Sequence, residues 1–323
     1  MTISVALCTY NGEKFLRKQL DSILDQTVSV NEIVVCDDGS TDATLKILNE
    51  YGKSYPHIFK IHNNEKNLRS VKNFEKAISL CQNDIIFLSD QDDVWVKEKV
   101  EKYTSFFREN PKTNAICSNG FGIDQKDVIL DVVTVWDIIA EQKKRNPKLS
   151  YFETINFAGN FVTGASMAIR KDFVSKCTPF PEINGFHHDE WIALIAGYTD
   201  SLEFFPDKLF FYRQHDDQQV GGVFFENTEN KKRRLFKFFT VDDHQNKSFG
   251  NYKHLLKRLS ASYKKNQQLI ETSVFYRNLL GKNLEKIEVL FYIYKNRMKN
   301  KYPVRFFFLN IIDKIKNKRQ LGK

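Results

Sequence analysis

Residues 85–95 read IIFLSDQDDVW: four apolar side chains and a serine, then Asp90, Asp92 and Asp93 within four positions. A short, continuous apolar run is the pattern of a strand covered on both faces, as in a parallel sheet flanked by helices. Like charges gathered at the end of such a strand repel one another unless a cation neutralises them. Taken alone, an acidic turn reads as a solvated loop, because charge runs usually face water. At the carboxyl end of a sheet strand the same cluster is a candidate divalent-cation site, since open α/β sheets bind their ligands there. The neighbouring segments decide between the two.

Strand patterns recur at Ile3–Cys8, Glu32–Cys36, Ile58–His62 and Asp84–Ser89. Between and after them, helical periodicity covers Gly12–Gln26, Ala43–Leu48, Val71–Cys81 and Lys97–Arg108, with Ser40 or Thr41 as a candidate cap for the second helix. Such βαβα order predicts an α/β fold with a mostly parallel sheet and helices on both faces. Residues 120–220 are less regular and read as later strands, loops and one helix around Trp191–Ala196. Beyond about residue 230 the chain turns basic and aromatic, with helical spacing at Leu255, Leu256 and Leu259 and again at Leu279, Leu280, Leu284 and Ile287. Two regions are expected: a catalytic α/β domain over 1–225 and a basic, helical C-terminal appendage over 226–323.

Charge divides the same way. From Lys231 to Lys323 there are 24 Lys and Arg against 6 Asp and Glu, a net of +18, so the remaining 230 residues carry −9. Five scattered cysteines without CxxC spacing read as buried thiols in a reducing, cytosolic setting. The N-terminus lacks the basic leader and apolar core of a secretory signal. No apolar run approaches the ~20 residues of a membrane-spanning helix. GxxxxGK[ST] is absent, and no GxGxxG follows the first strand, which argues against P-loop NTPases and dinucleotide dehydrogenases. An EF-hand is excluded because DQDDVWVKEKVE lacks glycine at its sixth position.

Parallel strands gather their following loops along one edge. Strand one delivers Thr9-Tyr10-Asn11-Gly12, strand two Asp37-Asp38-Gly39-Ser40, and strand four Asp90-Gln91-Asp92-Asp93. A carboxylate from Asp37 or Asp38 can accept hydrogen bonds from a base or ribose. A diphosphate would be repelled by the acidic body without Mn²⁺ or Mg²⁺ shared between one or two carboxylates and phosphate oxygens. The ligand these features suit is a nucleotide-sugar.

In this order, CTYNGEKFL, VVCDDGSTDAT, FLSDQDDVW and HHDEW resemble family-2 glycosyltransferases of the GT-A fold, most like the bacterial rhamnosyltransferase-like enzymes of polysaccharide synthesis. The likeness covers roughly residues 1–220. It implies that Thr9, Tyr10, Asn11 and Asp37 or Asp38 hold the nucleoside, with Asp90 towards the ribose and Asp92 on the metal. It further implies an inverting displacement with Asp189 as the base, Glu190 beside it and a helix beginning at Trp191. FVTGASMAIR (161–170) resembles the segment beneath the acceptor site, where Gly164 permits close approach. YRQHDDQQVGG (212–222) resembles the family's YRQH-type signature, which implies that Arg213 and His215 reach diphosphate or metal; the alternative is that they stabilise their own loop. His187 and His188 read as neutral loop histidines rather than ligands. Residues 67–69 read NLR where relatives commonly have NLG, so Arg69 is assigned no role.

The expected donor is a UDP- or dTDP-sugar, and the acceptor a glycan or lipid-linked glycan. The basic tail suggests a cytoplasmic enzyme held peripherally at an anionic membrane surface, by Lys231–Phe239 and by Arg305–Phe308. Self-association into a homo-oligomer is the alternative use of the tail, and nucleic acid is not expected as a partner. A sugar-phosphate nucleotidyltransferase is disfavoured because TYNGEK holds one glycine where a triphosphate-binding loop needs several. A non-catalytic binding module is disfavoured by the intact acidic pair and Asp189.

Overall fold

The computed structural model describes residues 1–215, 222–240, 247–272, 276–316 and 318–321. It divides into two compact units. The first comprises Met1–Ile155, Asn160–Phe180 and Phe186–Phe239, and the second Asn156–Gly159, Pro181–Gly185 and Thr240–Lys323.

In chain order the first unit contains β1 (Ile3–Thr9), α1 (Leu16–Leu24), β2 (Glu32–Asp37), α2 (Thr44–Ser54), β3 (Phe59–Asn63), α3 (Arg69–Leu80) and β4 (Ile85–Ser89). Next come β5 (Val94–Trp95), α4 (Lys99–Glu109), β6 (Ala115–Ile123), β7 (Val132–Thr134), α5 (Val135–Arg145) and α6 (Tyr151–Glu153). The unit ends with β8 (Met167–Arg170), α7 (Lys171–Cys177), α8 (His188–Tyr198), β9 (Leu202–Arg213), β10 (Phe224–Glu226) and α9 (Glu229–Phe239).

Eight strands form one sheet in the order β3-β2-β1-β4-β8-β6-β9-β5. The first four are mutually parallel, as βαβ crossovers require. Both β1 and β4 are buried along their apolar lengths, Ile85–Leu88 completely. Helix α1 buries Leu16, Gln19, Leu20 and Ile23, the i, i+3, i+4, i+7 stripe of a helix packed on one face. The chain steps outward from β1 to β3 and then returns to β4 on the other side of β1. That reversal opens a crevice at the carboxyl ends of β1 and β4, where ligands of such sheets bind.

Beyond β4 the sheet is mixed. Strand β8 is antiparallel to both β4 and β6, while β6 and β9 are parallel. Short β5 pairs antiparallel with the end of β9, Val94 opposite Phe211 and Trp95 opposite Phe210. This pairing seats the acidic turn Asp90–Asp93 against the end of β9. It explains how Arg213 and His215, more than a hundred residues away, reach that turn.

Residues 120–220 hold more helix than expected. Helices α5 and α7 lie where the sequence pattern shows no clear helical period, and α5 starts from a reciprocal capping box of Thr134 and Asp137. Helix α2 begins at Thr44 rather than after Ser40 or Thr41, because Ser40 bonds Asp37 and Thr41 bonds Asn11 instead. The basic-aromatic stretch 231–239 is also placed differently. It forms α9, which buries Leu235 and Phe239. Gln142 Nε2 of α5 donates to the Phe236 carbonyl, and the Arg145 guanidinium lies over the Phe236 ring.

The second unit is built on α10 (Phe249–Thr272), α11 (Arg277–Lys301) and α12 (Pro303–Ile315). Its core joins Tyr252, Leu255, Leu256 and Leu259 to Ile287, Phe291, Tyr294 and Met298, with Phe157 of the short segment 156–159. Asn266, Asn283 and Asn156 are buried in mutual hydrogen bonds beside it, a polar match that favours one register of α10 against α11.

Candidate active site

The crevice is a cavity of about 750 Å³. Thr9, Tyr10, Asn11 and Asp38 line it from the β1–β2 side. Asp90, Asp92, Asp189 and His215 line it from the β4–α8 side.

The loop after β1 is latched by side chains from elsewhere. The Tyr10 amide donates to Gln91 Oε1 (2.7 Å), and Gln91 Nε2 donates back to the Tyr10 carbonyl (2.9 Å). The next three amides donate to Ser40 Oγ, Thr44 Oγ1 and Asp42 Oδ2. A Cβ at Gly12 would push the Gln91 side chain out of this latch, so glycine lets the two bonds form.

The two carboxyl groups ending β2 differ in exposure to the cavity but share a role. Asp37 is fully buried and accepts from Thr9 Oγ1 (2.7 Å), Ser40 N (2.9 Å) and Ser40 Oγ (2.6 Å). It does not line the cavity. Asp38 accepts from Asn64 Nδ2, Leu68 N and Arg69 N, at 2.7 to 2.9 Å. Asp38 therefore organises the 64–69 loop. Arg69 sits at φ +62°, the left-handed region that glycine occupies without cost, so the NLR sequence makes a glycine-type turn with an arginine. Its side chain is exposed at the cavity wall.

On the other side, none of the described residues donates a hydrogen bond to the Asp90 side chain. Asp92 Oδ2 lies 2.8 Å from His215 Nε2. Asp93 points away from the cavity: Oδ1 accepts from Arg213 N, and Oδ2 is buried without a partner. Arg213 is fully buried behind the acidic turn. Its Nε donates to the Asp92 carbonyl (2.7 Å), and Nη1 donates to the Asp124 carbonyl and to Asp127 Oδ1. Arg213 braces the turn from the protein side, and the cavity wall does not include it. The segment 216–221 of the same motif lies outside the described residues.

Asp189 stands in the first turn of α8, whose N-cap is His187. Its Oδ2 accepts from Gly164 N (3.1 Å) and its Oδ1 from Glu190 N (2.6 Å). Gly164 is where the site converges. A Cβ there would come within 3.0 Å of His188 Nε2 and 3.4 Å of Asp90 Oδ2. His188 is not a loop residue but the first residue of α8, buried and stacked on Phe74 at 3.9 Å between ring centroids.

With this arrangement in place, comparison with known proteins decides the family. The model of Glycosyl transferase family 2 matches residues 4–177. This chain belongs to glycosyltransferase family 2. Among curated proteins, dTDP-rhamnosyl transferase RfbG of Shigella flexneri is 30% identical over 229 residues, covering 67% of this chain and 74% of RfbG. Chondroitin synthase of Escherichia coli is 27% identical over 191 residues, 56% of this chain but only 28% of the synthase. In fold, the glycosyltransferase matches S. aureus TarS 1–349, crystallised with UDP-GlcNAc, with a TM-score of 0.55 at 17% identity over 89% of this chain and 80% of TarS 1–349. It also matches GalNAc-T7, crystallised with UDP, GalNAc and Mn²⁺, with a TM-score of 0.54 at 18% identity over 67% of this chain and 44% of GalNAc-T7. The expected GT-A architecture is thereby established.

Electrostatics separate the carboxyl groups of this glycosyltransferase. Burial, then Asp92 and Asp189, push Asp90 up to about 8. Burial, with a smaller contribution from Glu190, raises Asp189 to about 7, against the lowering pull of the backbone N–H groups of Glu190, Gly164 and Asp189 itself. Burial beside Asp92 and Asp90 drives Asp93 well above the usual carboxyl range. Neutral His188 is held down at about 3 by burial. Asp90, Asp93 and Asp189 are each raised by burial, and Asp90 and Asp93 also by their acidic neighbours.

Two residues escaped the sequence reading. Gln91 locks two strand-end loops together, and only the position of Gly12 beneath it hints at the contact. Lys99 is fully buried, donates to the Ala165 carbonyl (2.5 Å) and lies 4.3 Å from the Trp95 ring centroid. Burial lowers it to about 7 against the pull of Asp93 and Asp90. Nothing in KEKVEKY marks that lysine among its neighbours.

Proposed function

We infer that this glycosyltransferase moves a sugar from a UDP- or dTDP-sugar to a hydroxyl of a glycan or lipid-linked glycan in polysaccharide synthesis, inverting the anomeric centre in one displacement. The observation that carries the reading is the convergence of Asp90, Asp189 and Gly164 on one wall of the cavity opposite the latched β1 loop. RfbG is named a dTDP-rhamnosyl transferase, and TarS was crystallised with UDP and with UDP-GlcNAc, which supports a nucleotide-sugar donor.

In this reading Thr9, Tyr10, Asn11 and Asp38 flank the nucleoside and Asp90 faces the ribose. Tyr10, 44% exposed, offers a ring for a base to stack on. Asp189 removes the acceptor hydroxyl's proton, with its Oδ2 steered by Gly164 N. A carboxylate titrating near neutrality suits a general base, which contributes about 10²- to 10⁴-fold. Asp37 and Arg213 act behind the site as braces for the two loops.

Asp92 and His215 are the pair that would hold Mn²⁺ or Mg²⁺. Among the described residues no group of three or more His, Cys, Asp or Glu is arranged for an ion. A carboxylate and an imidazole in contact fit a cation that takes its remaining ligands from phosphate oxygens and water. When bound, it supplies Lewis-acid neutralisation of the leaving diphosphate. The test is a panel of nucleotide-sugars incubated with the full chain and Mn²⁺, with release of the nucleoside diphosphate as the signal. At least one UDP- or dTDP-sugar should be consumed, and EDTA should stop its consumption. No turnover of any nucleotide-sugar with either metal would overturn the reading.

A further inference from the structure

Helix α12 buries one face and leaves the opposite face bare. Tyr302, just before its start, and Phe306 and Leu309 pack on the helical core of the second unit, and Asp313 is buried in hydrogen bonds to Arg319. Val304, Phe307, Phe308, Ile311, Ile312 and Ile315 point the other way, with exposure from 42% at Ile311 to 78% at Ile315. At 3.6 residues per turn these six side chains occupy an arc of about 140°. Arg305 falls at one margin of that arc and Lys314 at the other, both exposed. Isolated exposed apolar residues need no explanation, but six in one continuous stripe mark an interaction surface.

We propose that the bare face of α12 docks on an anionic lipid bilayer. Thirteen residues are too few to cross one, and no described helix is long and apolar enough to do so. A helix with an apolar arc edged by cations instead lies in the interface, its apolar side chains among the acyl chains and its cations at headgroup level. Charge selects the occupant. Residues 240–323 carry 19 Lys and Arg against 6 Asp and Glu, a net of +13, so pairing this stripe with a second copy would bring two positive regions together, whereas anionic lipid headgroups neutralise them. The packing of α9 against α5 leaves α12, rather than residues 231–239, as the insertion element. The docking rests on the proposed function and deepens its lipid-linked form of the acceptor.

The experiment is co-sedimentation of the full chain with phosphatidylcholine vesicles, with and without phosphatidylglycerol. It compares wild type with Phe307→Glu/Phe308→Glu and with Arg305→Glu/Lys314→Glu. Wild type should pellet only on the phosphatidylglycerol vesicles, and each double variant should bind at least tenfold more weakly. UDP and dTDP binding should be the same in all three, which reports that the fold and nucleotide site are intact. Because nucleotide binding is read separately, failure of docking and failure of the glycosyltransfer reading are distinguishable. Equal pelleting of wild type and the Phe307/Phe308 variant would overturn the proposal. So would absence of pelleting by wild type, or a wild-type dimer in sedimentation velocity that the Phe307/Phe308 variant converts to monomer without changed vesicle binding.

Discussion

The two sides of the cavity use the same residue type in opposite ways. At the end of β2, Asp37 and Asp38 each accept three hydrogen bonds from the protein and hold neighbouring loops in place. Across the crevice, Asp90 receives no hydrogen bond from the described residues, and it and Asp189 titrate near neutrality. A carboxyl group surrounded by donors is part of the scaffold. One that is buried, crowded by its own kind and short of donors is prepared to meet a cation, a hydroxyl or a proton. Sequence alone shows aspartates on both sides; the missing donors at Asp90, and at Asp189 a burial that outweighs its backbone donors, reveal the difference.

Replacing Asp37 by Ala should break the scaffold side most severely. Thr9 and Ser40 would lose their acceptor, leaving donors unsatisfied in a buried site, at a cost of about 3 kcal/mol. Urea denaturation should read that loss, with nucleotide binding falling because the β1 loop is no longer held. An unchanged midpoint would erase the distinction between the two sides.

Asp90→Asn should do the reverse. The folded-state value of about 8 lies above the ordinary carboxyl value near 4. Between those values the unfolded chain releases this proton while the folded chain keeps it, so wild-type stability falls as pH rises through that window. The neutral variant escapes the penalty. Without ligand, its melting temperature should exceed that of wild type at pH 8, with the gap closing towards pH 5. A gap that widens on acidification would contradict the assignment.

Much of this was legible before the fold. Apolar runs followed by polar clusters located β1, β2 and β4 and the loops at their ends, because strand burial and turn chemistry are local properties. Asp189 stood out only through the family resemblance of HHDEW, and His188, read as a loop histidine, opens α8 instead. For Asp37 the turn with Ser40, three positions on, is local, but its bond to Thr9, 28 positions away, carries no sequence mark. For Arg213 the choice between phosphate and loop stayed open because its partners lie 86 to 121 positions away. The bare apolar stripe of α12 was half legible. Arg305 beside Phe306–Phe308 stood out, but which aromatic faces in depends on where α12 starts: Phe306 packs inward while Phe307 and Phe308 stay bare.

The most direct measurement pairs two variants on the chemical side of the cavity. Calorimetric titration of a turned-over nucleotide-sugar, with Mn²⁺, is run on Asp189→Ala and Asp92→Ala beside steady-state transfer. Asp189→Ala should bind the donor like wild type yet transfer at least about 10²-fold more slowly, as removal of a general base predicts. Asp92→Ala should lose the Mn²⁺-dependent part of donor binding. In wild type, transfer should rise with pH through about 7 as Asp189 loses its proton, and the residual rate of Asp189→Ala should lack that rise. An Asp189→Ala enzyme that transfers at the wild-type rate, or that keeps the same pH profile, would contradict the account.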